Sequence, residues 1–77
     1  MIKVLFFAQL QDALGSDSIK IEEDSLSVYD LKQQLKNDYP TLQLDGVMVA
    51  VNEEYALDED IISSGDIVAF IPPVSGG

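Results

Sequence analysis

The residues with chemistry to offer lie in one stretch, AFIPPVSGG, residues 69–77. Pro72 and Pro73 have no backbone N–H and favour extended polyproline geometry, so they end sheet pairing and are expected to push the chain outward. Gly76 and Gly77 carry no Cβ and fit a channel too narrow for any side chain. With Val74 and Ser75 they make an arm, 72–77, whose one reactive group is the C-terminal carboxylate of Gly77. A carboxylate is inert until activated. Adenylation by ATP would make it an electrophile, which a sulfur donor could then convert to a thiocarboxylate. Ser75 has no base beside it and reads as a small, soluble tail residue instead of a nucleophile.

The rest of the composition narrows the alternatives. Among 77 residues there is no cysteine and no histidine. Disulfides and the common zinc sites are therefore excluded, and so are the usual thiol nucleophile and the usual base near neutral pH. The chain is not expected to be an enzyme on its own, to bind a metal or to hold a permanent cofactor. Fourteen acidic residues against four lysines give a net charge of -10. Nucleic acid and anionic membranes should repel such a domain, and a charged partner should be basic. The acidic runs EED (22–24) and DED (58–60) lack the spacing of an EF-hand loop and read as solvated loops. No apolar run reaches spanning length, and MIKVLFFAQL is too short for a signal peptide, so the expected location is cytoplasmic.

The elements that must position the arm follow from pattern. MIKVLFFA reads as a strand with Ile2, Val4 and Phe6 inward, and Lys3, Leu5 and Phe7 on a wetter face. QLQDALG reads as a short helix stopped by Gly15, and SIKIE as a second strand with Ile19 and Ile21 inward. Ser27 caps a helix over 28–39, whose stripe is Val28, Leu31, Leu35 and Tyr39 and which Pro40 ends. TLQLDG is a loop, VMVAVN a third strand buried on both faces, and EEYALDED a turn with a brief extended piece at Tyr55 and Ala56. SSGD leads into a last strand, IVAFI, in which Val68 and Phe70 alternate with Ile67, Ala69 and Ile71. One amphipathic helix on one sheet makes an α+β domain of two layers. The last strand is apolar on both faces, and only one of them is needed for the helix.

MIKVLFFAQL, VAVN, SSGD and VAFIPPVSGG together resemble the small, ubiquitin-like subunit family of molybdopterin synthase, over essentially the whole chain. The resemblance implies a ubiquitin-like β-grasp domain over 1–71, a mixed sheet packed on one main helix, with an extended tail over 72–77. It implies an E1-like adenylyltransferase that uses ATP to activate Gly77, a sulfur donor protein, and a thiocarboxylate. It further implies docking on the large catalytic subunit, in a heterotetramer of two small and two large subunits. There the tail (Pro72, Pro73, Val74, Ser75, Gly76) would thread into the active site and deliver sulfur to cyclic pyranopterin monophosphate, forming the dithiolene of molybdopterin. Phe7, Tyr55 and Ile71 fall where that family places an apolar patch against the large subunit. Phe7 and Ile71 also face outward by strand phase. Two related readings stay open: a sulfur carrier for thiamine or tRNA thiolation, and a ubiquitin-like protein modifier joined to lysines.

Overall fold

The first strand, β1 (Ile2–Phe6), lies inside the sheet, and its alternation sends one set of side chains to each face. Ile2, Val4 and Phe6 are fully buried on one side, while Lys3 is exposed and Leu5 half-buried on the other. The computed structural model describes residues 1–73. Val74, Ser75, Gly76 and Gly77 lie outside the described residues. After β1 come α1 (Gln9–Leu14), β2 (Ser18–Ile21), β3 (Ser25–Ser27) and α2 (Val28–Asp38). Then follow β4 (Met48–Val51), β5 (Glu54–Ala56), β6 (Ile61–Ser63) and β7 (Ile67–Ile71).

Five strands form one mixed sheet in the order β2-β1-β7-β4-β5, with β1 and β7 parallel and the other neighbours antiparallel. β3 and β6 form a separate antiparallel pair. The main helix α2 lays Val28, Leu31 and Leu35 on one face of the large sheet, against Ile2, Val4, Phe6, Val68 and Phe70, all of them essentially fully buried. The Phe6 and Phe70 rings, on neighbouring strands, pack at a centroid distance of 5.7 Å. This is the ubiquitin-like β-grasp architecture, with one layer of sheet and one of helix.

Four details differ from expectation. The helix ends at Asp38, one residue early, and Tyr39 takes extended angles (φ −132°, ψ 76°). The residue before a proline is sterically barred from helical geometry, so Pro40 stops the helix at its neighbour. Tyr39 still packs against the core from its half-buried cap position. In β4, Val49 and Ala50 are buried on the two faces, but Met48 is 48% exposed, so burial on both sides covers only the strand's middle. The β3–β6 pair has no counterpart in the sequence reading, because three residues are too few to show an alternation. Finally, Pro72 is buried and Pro73 exposed. Only the second proline is open to solvent. An apolar ring with no N–H to satisfy loses nothing by filling a gap between α1 and the loop over 41–46. No helix among the described residues is long and apolar enough to cross a membrane.

Candidate docking interface

The sheet face turned away from α2 has no covering layer among the described residues. Its composition follows from the register. Opposite Leu5 lies Ala69, opposite Ala69 lies Ala50, and opposite Ala50 lies Tyr55, so one row runs across four strands. Above it Ile71 faces Met48, with Phe7 just past the end of β1. Leu5, Phe7, Ala50, Tyr55, Ile67, Ala69 and Ile71 together line one shallow apolar groove with Asn52 and Glu53 at its end. Phe7, Tyr55 and Ile67 are 45%, 71% and 46% exposed. Phe7, Tyr55 and Ile71, the three residues singled out from the sequence as anchors, share this single surface. Met48 and Ala50 extend it; the alternation in VMVAV was the available signal, hidden by a strand apolar at almost every position.

Local chemistry sets the shape of this face. Phe7 is held by a tight turn in which the Leu10 N–H donates to the Phe7 carbonyl (3.1 Å) and Ala8 adopts φ 52°, ψ −129°. Those angles suit the first central position of a type II′ turn, which normally takes glycine. At the other end, β4 and β5 are joined by Asn52 and Glu53, both with positive φ (51° and 72°), a type I′ hairpin. The Asn52 side chain binds the start of β7: its Oδ1 accepts from the Ile67 N–H (3.0 Å) and its Nδ2 donates to Asp66 Oδ1 (3.0 Å). Asp66 Oδ2 accepts from the Ser63 N–H (2.8 Å). That backbone bond, and then the Asn52 amide, hold the Asp66 carboxyl below its ordinary value of 3.8.

At the base of the arm, Pro72 and Pro73 line a hollow with Leu10 and Ala13 of α1 and with Thr41 and Gln43 of the loop after α2. Gly46, at φ 72°, lies beneath Pro73, where a Cβ would stand 3.7 Å from the proline ring. The body therefore grips the chain at Pro72, next to the apolar face that ends at Ile71. The acidic run 58–60 has structural work. Asp58 pairs with Lys32 (2.7 Å), and Asp60 accepts the Leu57 N–H (2.8 Å).

A β-grasp domain with an uncovered apolar sheet face beside the root of its C-terminal segment defines a small carrier or modifier of the ubiquitin-like class. The chain belongs to the ThiS family, which matches residues 4–77. It is similar to the molybdopterin synthase sulfur carrier subunit of Dictyostelium discoideum, 43% identical over 97% of this chain and 94% of that protein. The Escherichia coli protein of the same name is 41% identical, with all of both chains covered. Among solved structures it resembles SAMP1, small archaeal modifier protein 1, from Haloferax volcanii, with a TM-score of 0.83 and 27% identity over 99% of this chain and 98% of that one.

Proposed function

We propose that this chain is the sulfur carrier subunit of a molybdopterin synthase, carrying its sulfur as a thiocarboxylate on Gly77. The observation that carries the reading is full-length identity to relatives bearing that name, 43% and 41%. In the proposed cycle the Gly77 carboxylate attacks the α-phosphate of ATP in an E1-like adenylyltransferase, and pyrophosphate leaves. Sulfide released by reduction from a donor protein attacks the acyl carbon and AMP leaves, giving the thiocarboxylate. The small subunit then docks on the large catalytic subunit, two of each forming the heterotetramer, and the tail from Pro73 to Gly77 threads into the active site. Transfer of sulfur to cyclic pyranopterin monophosphate, with water cleaving the acyl–sulfur bond, returns a carboxylate, and two transfers complete one dithiolene.

The division of labour fits the composition. A chain without cysteine or histidine supplies position and cargo, and the bond-making groups sit on its partners. Phe7, Tyr55 and Ile71 are the proposed anchors. Burying a large apolar side chain of this kind is worth roughly 1.5–3 kcal/mol, and aromatic residues are enriched at the centres of such interfaces. The modifier reading draws on the likeness to a protein named as a modifier. The two readings share an activated C-terminus and differ in what attacks it, sulfur or a lysine amine.

The absence of cysteine makes the test direct. The protein is purified from cells with an intact sulfur-transfer pathway, treated with a thiol-alkylating reagent and cut before Asp66. The terminal fragment contains no methionine whose oxidation would mimic the sulfur-for-oxygen mass difference. A label on Gly77 is the expected result, and deletion of Gly77 should abolish both the label and molybdopterin formation with the fold intact. A carboxylate that stays unlabelled after incubation with ATP, donor and activating enzyme would sink the carrier reading.

A further inference from the structure

Two groups on the open sheet face break local rules, and they sit at opposite ends of one edge. Lys3 and Lys20 are direct cross-strand partners, both exposed, on the face opposite the core. Like charges directly opposed across a ladder are destabilising. In a chain with fourteen acidic residues a compensating carboxylate would be easy to place, yet the one ion pair among the described residues is Lys32–Asp58, on the helix side. Beyond Lys3 the same row continues to Ile67, which pairs with it, and then to the Asn52–Glu53 turn, where the Asn52 N–H donates to the Ile67 carbonyl (2.8 Å) and the Asn52 side-chain Oδ1 accepts from the Ile67 N–H. There Glu53 occupies a left-handed conformation (φ 72°), at a hairpin position where glycine is preferred. Three strand spacings, about 15 Å, separate the lysine pair from that turn.

Both choices weaken the free domain, and both lie on the rim of the apolar groove. Residues that contradict local preference without local compensation point to function. We infer that this edge is a polarised rim that fixes the orientation of docking. The partner protein presents a carboxylate to Lys3 and Lys20 and a cationic side chain to Glu53. The inference rests on the docking reading above and adds the partner's chemistry. It also runs against the whole-molecule charge. A surface of net charge -10 attracts basic surfaces in general, but it cannot say which way round they land. A dipole of charges at the groove's edge can, because the reversed pose sets like charges against each other.

The test compares free-domain stability with binding to the large subunit of the synthase. Lys20→Glu turns a like-charge pair into an opposite one, and Glu53→Gly removes the strained residue. Each should leave the thermal midpoint of the free domain equal or higher while weakening binding about fivefold or more. Lys36→Glu, on the exposed side of α2, makes the same change of net charge as Lys20→Glu and should weaken binding less than about twofold. Equal effects of Lys20→Glu and Lys36→Glu, or none from Lys20→Glu and Glu53→Gly, would overturn the polarised rim. So would a concentration-dependent dimer of the free chain that Lys20→Glu dissolves, since the occupant would then be a second copy. Phe7→Asp separates the two levels. If it abolishes binding while the charge variants do not, only the rim fails. If it leaves binding intact, the docking face itself is wrong.

Discussion

Asp66 shows how one side chain ties the open face to the core. Its two carboxylate oxygens accept from the Ser63 N–H and the Asn52 amide, and so lock the turn before β7 to the turn after β4. Because those bonds hold its pKa below 3.8, the native state favours the charged form. The stabilisation they bring is complete above the ordinary value and drains away as pH falls through 3.8 and below. Asp66→Asn should therefore lower the urea midpoint at neutral pH, and the gap from the native protein should close progressively on acidification. A gap independent of pH would mean that charge plays no part in the lock. SSGD was legible as a turn, because glycine and aspartate are turn residues. The partner Asn52 was not, since fourteen positions of sequence separate them. Phe7 was legible as outward-facing for a different reason: Lys3, two strand repeats away, marks the wet side and period two carries the mark along.

The same contrast between near and far appears within elements. The first turn of α2 has three N–H groups with no carbonyl of their own helix to bind. The Asp30 N–H finds the Ser27 hydroxyl (3.0 Å), the contact that Ser27 before an apolar-periodic run predicts. The Val28 and Tyr29 N–H groups instead reach the carbonyls of Asp60 (2.9 Å) and Asp58 (3.0 Å). The acidic run thus serves the helix through its backbone, while its sequence reads only as a solvated loop. The pairing of β3 with β6 brings that loop to the helix start, with Leu26 opposite the fully buried Ile62. Leu42 and Leu44, in the stretch that reads as a loop, also enter the core. Patterns longer than about one turn or five strand residues were readable; short strands and core residues in loops carry no period to read. Ser27→Ala should cost about 1 kcal/mol in chemical denaturation, the usual worth of one capping bond. A loss below about 0.3 kcal/mol would show that the two distant carbonyls suffice to hold the helix end.

For the whole molecule, charge is the term that remains. Fourteen carboxylates meet four lysines, and the described residues contain a single ion pair, partly exposed and worth at most about 1 kcal/mol. Two of the other lysines face each other. Repulsion among the acidic groups therefore outweighs attraction, and a compact state suffers more from it than an extended one. Sodium chloride should stabilise this domain by screening. Gaining 1 kcal/mol moves the midpoint of a domain this small by about 4–8 °C, so a rise of several degrees between low salt and half-molar salt is expected. Lys36→Glu adds two more units of negative charge without touching the core. It should lower the low-salt midpoint and converge on the native protein as salt rises. A midpoint that falls with salt would mean that favourable pairs dominate. The repulsion has a counterpart in docking: the field that strains the free domain draws it toward basic surfaces, and salt should weaken that attraction while it steadies the fold. Stability and association rate moving in opposite directions along one salt series, measured on the same protein, is the result that joins the two.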